Sequence, residues 1–242
     1  MKVVFAGPST SGVDLSAYNV DIRGPVRQGD VWRAIRDGAT AVGIIDGYFE
    51  GVPSVWHKEI LWALSEGIPV LGASSMGALR AAEMDAFGMI GVGAIYEWYR
   101  DGVIEDDDEV ALVHGPAEIG SPALSVPMVN VRATCAAAEA MGMDTGDVIT
   151  VAKAQFYKGR TWDSVLTAAA LSATTADWLR HNEVDQKRLD ALALLELIGR
   201  DLPAPSVEEP FENTSLWVRA TEDWGRNPTP NEAPGPERLL GG

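Results

Sequence analysis

Apolar and polar positions divide the chain into two unlike stretches. In the first, short continuous apolar runs alternate with segments whose apolar residues recur at helical spacing. Residues 2–6 (KVVFA) and 40–45 (TAVGII) read as buried strands, closed by Gly7-Pro8 and by Asp46-Gly47. Residues 30–37 (DVWRAIRD) have helical spacing, with an aspartate suited to capping. A helix over 55–66 opens after Pro53-Ser54 and closes at Gly67 as a C-terminal cap. The run 68–71 (IPVL) is a further strand, and 76–83 (MGALRAAE), rich in strong helix formers, a further helix. Strands alternating with helices over short loops predict an α/β fold with a mainly parallel sheet flanked by helices.

Beyond Gly88 the pattern changes. A helix is expected over 92–101, an acidic turn over 105–109 and a short apolar strand over 110–114. After Pro127 the chain reads as mostly helical, over 128–141, 144–157, 162–171 and 184–198. From about Leu202 the composition turns to Pro, Glu, Asn and Gly, which predicts a poorly ordered tail. The expected organisation is one domain over 1–200 and a tail over 201–242, with no internal repeat.

Composition narrows the function classes. A chain of 242 residues buries a full core. Its net charge of -16 argues against nucleic acid as a partner, because phosphates are repelled. No apolar window reaches the length of a membrane span, and the N-terminus lacks the apolar stretch of a signal peptide. The single cysteine, Cys135, forms no internal disulfide, which makes a cytoplasmic location the default. His57, His114, His181 and Cys135 show no metal-ligand spacing, and no G-x-x-x-x-G-K-[ST] loop is present. Neither a metal nor a cofactor is expected.

Ligands of an open parallel sheet bind beyond the carboxyl ends of its strands. Three loops leave such ends, 7–11, 46–57 and 72–77, and they meet if their strands are neighbours. In the last of them Ser74 and Ser75 stand where a strand turns into a helix. A serine there is either a helix cap or a nucleophile on a sharp turn. The local pattern around Ser75 matches a nucleophile elbow only in part, and backbone N–H groups near Met76 and Gly77 suit a developing oxyanion. A serine nucleophile needs a base. His57 and Lys58, at the start of the helix after the second of these loops, are the nearest candidates, with Trp56 and Trp62 as an apolar wall. The bland alternative makes both of them surface groups. Asp46 with Gly47 turns the chain, orients a catalytic amine or binds a polar group of a substrate. Arg80 and Glu83, three apart on one helix, read as an ion pair, and 105–109 as a solvated turn. The terminal Leu239-Leu240-Gly241-Gly242 is similar to a sulfur-carrier end, here without the small fold that would accompany it.

With these residues assembled, the chain resembles the TfuA-like family. The resemblance rests on IIDGYFEGVPSVWHKEILWALSEGIPVLGASSMGALRAAEM, then FGMIGVGAIYEWYRDGVIEDDDEVALVHGP, with VVFAGPS, RGPVRQGDVWRAI and VDQKRLDALALL in support. It covers about 3–195 and is most specific over about 44–165. The resemblance implies a partner of YcaO enzymes in thioamidation of peptide backbones, a step in ribosomal peptide natural-product biosynthesis that engages a precursor peptide through the YcaO enzyme. It implies hydrolysis of a thiocarboxylated ThiS-type carrier protein by a Ser–Lys pair, carried over onto Ser75 and Lys58, with Ser74 the adjacent alternative. The alternative function is a non-catalytic adaptor that docks on YcaO and positions its peptide. A third reading is a hydrolase of small esters or amides.

Overall fold

The computed structural model describes residues 1–116, 119–206 and 210–226. Its centre is a five-stranded, all-parallel sheet built from β1 (Lys2–Phe5), β2 (Asp21–Arg23), β3 (Ala41–Ile44), β4 (Val70–Ala73) and β5 (Ile90–Val92) in the order β2-β1-β3-β4-β5. The three inner strands β1, β3 and β4 are apolar on both faces because helices cover both. Helices α1 (Asp30–Arg36), α2 (His57–Ser65) and α3 (Met76–Met84) pack on one face through Val31, Ile60 and Ala81 against Val3, Phe5, Val42 and Ile44. The opposite face, with Val4, Ile45 and Leu71, is covered by α9 (Gln186–Ile198) through Ala191, Leu194 and Leu195. Each of the Val, Leu, Ile and Phe side chains among these, fully buried, contributes roughly 1.5–3 kcal/mol, and the alanines less.

The second half is mostly helical. Helix α4 (Ala94–Arg100) follows β5. The helices α5 (Met128–Ala140), α6 (Val148–Lys153), α7 (Trp162–Ala168) and α8 (Ala173–His181) enclose their own core around Met128, Cys135, Val165 and Leu179. Helix α10 (Ser215–Arg226) buries Trp217 against Trp56 and Trp62, with ring centroids 6.1 and 5.8 Å apart. No helix among the described residues is long and apolar enough to cross a membrane.

Several local expectations differ from the structure. Residues 110–114 do not join the sheet. Their pairing is an isolated bridge between His114 and Ala123, and Val113 N donates to Ser125 Oγ at 2.8 Å. The helix expected over 144–157 is confined to α6, because Gly146 and the turn at 157–159 break the run. Strands β2 and β5 have only three residues each, too few to show a period of two. The capping of α1 also differs. Its N-cap is Gly29 at φ 89, and Glu59 of α2, rather than Asp30, accepts from Gly29 N at 2.8 Å. Within the expected tail, 215–226 form α10, while Leu239-Leu240-Gly241-Gly242 lie outside the described residues.

Candidate active site

The strand order reverses between β1 and β3, so the loops leaving these two strands diverge to opposite sides and open a crevice. Asp46, just past β3, ties them together. Its carboxylate accepts from Gly7 N at 2.8 Å, Ser9 N at 3.0 Å and Ser9 Oγ at 2.7 Å. The next loop along, between β4 and α3, carries Ser74 and Ser75, and the three loops do meet at one edge.

Neither serine hydroxyl caps α3. Ser74, at φ 68 and fully buried, turns inward and donates to Ser9 Oγ at 2.9 Å. Ser75 faces a narrow cleft of about 170 Å³, which is also lined by Pro8, Asp46, Tyr48, Leu112 and Lys187. The sharp turn needs close approach of α3 to the sheet. A Cβ on Gly72 would stand 2.1 Å from Gly77 O, and one on Gly77 only 1.8 Å from Ile44 O. Both positions therefore admit hydrogen alone.

The amine at Ser75 comes from a residue that local reading missed. Lys187 Nζ lies 3.1 Å from Ser75 Oγ, and its N–H donates to Val110 O at 2.7 Å. Lys187 is only 3% exposed, and burial pushes its amine down from the ordinary 10.5, opposed by the negative charges of Asp46 and Asp185. Helix α9 starts at the carboxyl edge of the sheet and ends at the other, where Lys2 Nζ donates to Arg200 O at 2.7 Å. Its positive N-terminal end thus faces the cleft together with that of α3. Three contacts hold α9 in place. Asp185 caps it through Arg188 N at 3.1 Å, and Asn130 Oδ1 accepts from Lys187 N at 3.3 Å. Asp190 accepts from Ile95 N at 2.8 Å, a fit that Gly93 permits because a Cβ there would meet the Asp190 carboxylate.

Lys58, the amine expected beside Ser75, is engaged elsewhere. It sits in the first turn of α2, and its Nζ lies over the Phe211 ring, 5.0 Å from the centroid. No hydrogen bond joins it to Ser75. His57 Nε2 pairs with Glu83 Oε2 at 2.8 Å, and Arg80 Nη1 reaches the same oxygen at 2.6 Å, so the expected Arg80–Glu83 pair includes the histidine. Gly77 N donates to Ile45 O at 3.3 Å, whereas Met76 N, at the first helical position, has no acceptor within its own helix. The acidic turn is more than solvated. Glu109 is 1% exposed and held by Arg132 at 2.7 Å and Lys153 at 3.1 Å, which anchors the turn to α5 and α6. Cys135 lies in the helical core, and burial pushes its thiol up to about 11. Among the described residues no group of His, Cys, Asp and Glu could hold a metal ion.

The arrangement is a buried hydroxyl and a buried amine in contact, at a crevice where two helix N-termini converge. It suits acyl transfer from an anionic or polar carbonyl substrate. Residues 46–161, which include Asp46 and Ser75 but not Lys187, match the model of a protein family described as TfuA-like protein. No curated protein matches the chain.

Proposed function

From the premise that the chain is TfuA-like over residues 46–161, we propose that it is a Ser–Lys hydrolase that releases sulfide from a thiocarboxylated ThiS-type carrier protein for a YcaO enzyme. The family match supports the YcaO and thioamidation context. The observation that carries the hydrolase reading is the 3.1 Å contact of Lys187 Nζ with Ser75 Oγ, both buried at the crevice. Lys187 takes the place in the pair that the resemblance assigned to Lys58.

A thiocarboxylate is a carbonyl with a sulfur leaving group. In the proposed reaction neutral Lys187 takes the Ser75 proton as Oγ attacks the carbonyl carbon. The resulting oxyanion leans on Met76 N and on the N-terminal end of α3. Collapse breaks the C–S bond, the lysine proton passes to the departing sulfur, and hydrosulfide leaves. Water, deprotonated by Lys187, then attacks the acyl-serine, and its collapse returns the proton to Ser75 Oγ and frees the carrier carboxylate. Ser74 and Asp46 support the geometry rather than react.

The test is sulfide release from purified thiocarboxylated carrier. Ser75→Ala and Lys187→Met are expected to lower the rate at least about 10²-fold, in the range of a lost general base, while Lys58→Met leaves it within a factor of a few. Unchanged release by both Ser75→Ala and Lys187→Met refutes the hydrolase. Thioamidation that proceeds with Ser75→Ala and no added sulfide favours the adaptor reading.

A further inference from the structure

The catalytic cleft is flanked by two grooves of opposite charge. On one side Pro25 and Tyr48 are shared between the cleft and a groove of about 690 Å³ that runs along α1 to α10. Four arginines line it, Arg23, Arg27, Arg33 and Arg36, against two aspartates, Asp30 and Asp37. On the other side Pro8, Leu112 and Lys187 are shared with a smaller groove of about 180 Å³, whose remaining charges are Glu183 and Asp185. In a chain of net charge -16 the first groove keeps a small excess of positive charge, although Arg23, Arg27 and Arg33 are each paired with an aspartate.

We propose that the arginine-lined groove is the docking surface for an acidic face of the carrier protein whose tail enters the cleft. The inference rests on the hydrolase reading for the identity of the tail, and on the groove itself for the chemistry of the partner. A folded carrier does not fit a 170 Å³ cleft, so only its terminal residues reach Ser75 and its body rests outside. The charge pattern gives that body one orientation. An acidic surface is attracted along α1 and repelled from Glu183 and Asp185, and the net negative charge of the chain adds to that bias.

The groove suits side chains of a polypeptide better than a single compact anion. Its arginines are spread along the wall and fixed by neighbours. Arg23 bonds Asp21 at 2.9 Å and Asp37 at 3.0 Å, Arg33 reaches Asp30 at 3.1 Å, and the Arg36 guanidinium lies 5.8 Å from the Trp32 ring centroid. Trp32 and Trp224, 6.1 Å apart between centroids, supply an aromatic floor at the far end. The Arg36 guanidinium, ordered over Trp32 and ion-paired with no aspartate among the described residues, can take a partner's carboxylate with little further loss of side-chain freedom.

The experiment uses the full chain and a ThiS-type carrier in two forms, free carboxylate for binding and thiocarboxylate for turnover. Arg36 is exposed at the end of α1, so Arg36→Glu and the milder Arg36→Ala are the variants, with thermal melting to confirm folding. Arg36→Glu is expected to weaken binding of the carboxylate carrier about tenfold at low salt and to raise KM with kcat unchanged, and Arg36→Ala about threefold. The difference from wild type should shrink by 0.5 M salt. Hydrolysis of a short Gly-Gly peptide thiocarboxylate should be unaffected. Carrier affinity indifferent to both variants and to salt overturns the docking surface even where turnover is normal. Wild-type chain that binds the carrier in this arginine-dependent way but releases no sulfide upholds the docking surface and overturns the hydrolase instead.

Discussion

At the scale of single residues, the site depends on where one proton sits. In the proposed reaction Lys187 serves as a base only when neutral, so kcat/KM should climb with pH until the ammonium has lost its proton. Burial brings that rise below the ordinary 10.5, and the Asp46 carboxylate, favouring the ammonium, holds it up. Asp46→Asn removes the opposing charge, and its acid limb is therefore expected at lower pH than in the wild type. The maximal rate should also fall, because an amide oxygen cannot replace both carboxylate oxygens at Gly7, Ser9 N and Ser9 Oγ. A profile that stays in place or moves to higher pH would show that Asp46 acts on geometry alone. Ser75 was legible as a residue of interest because it stands at a strand-to-helix junction, where a hydroxyl is either capping or free. The choice between Ser74 and Ser75 was not, since adjacent residues differ only in which way their side chains point.

Elements position these residues through close backbone contact. Helix α3 rests on β3 and β4 through Gly72 and Gly77, and the Gly77 Cα hydrogen occupies space that a methyl group cannot share with Ile44 O. Gly77→Ala must push the helix away from the sheet, at more than the roughly 1–3 kcal/mol of ordinary overpacking. Urea denaturation should show this as a lower midpoint, and sulfide release should fall as Ser75 moves from Lys187. A midpoint within experimental scatter of wild type would mean that the helix shifts freely. The helix that brings Lys187 to Ser75 carried its own signal. Along α9 the buried positions are Lys187, Asp190, Ala191, Leu194, Leu195 and Ile198, one continuous stripe at spacings of three and four. A lysine and an aspartate on the apolar stripe of a helix are the mark of buried, partnered charge. Lys58 offered a weaker signal, proximity along the chain to a strand end, and its amine instead meets Phe211, which packs on Trp217 of α10.

For the whole molecule, the aromatic contacts of α10 join the end of the described chain to its beginning. Trp217, 4% exposed, packs on Trp56, Trp62, Trp224 and Phe211. Trp217→Ala is expected to cost about 3–5 kcal/mol, the range for a truncated core aromatic, measurable by chemical denaturation. A loss under about 1 kcal/mol would show α10 to be dispensable for the fold. Apolar periodicity, glycine and proline punctuation and charge were enough by themselves to determine the parallel sheet flanked by helices, the change to a helical second half and the strand-edge loops that carry Asp46 and Ser75. Those properties follow from neighbours along the chain. The partner of Ser75 was decided only in three dimensions, because Lys187 lies 112 residues away and reaches the cleft by the packing of α9 across the sheet. The same holds for the arginine groove, whose charges come from β2, the loop that follows it and α1. Local sequence sets which elements form; burial of their apolar faces against one another sets which charged groups meet.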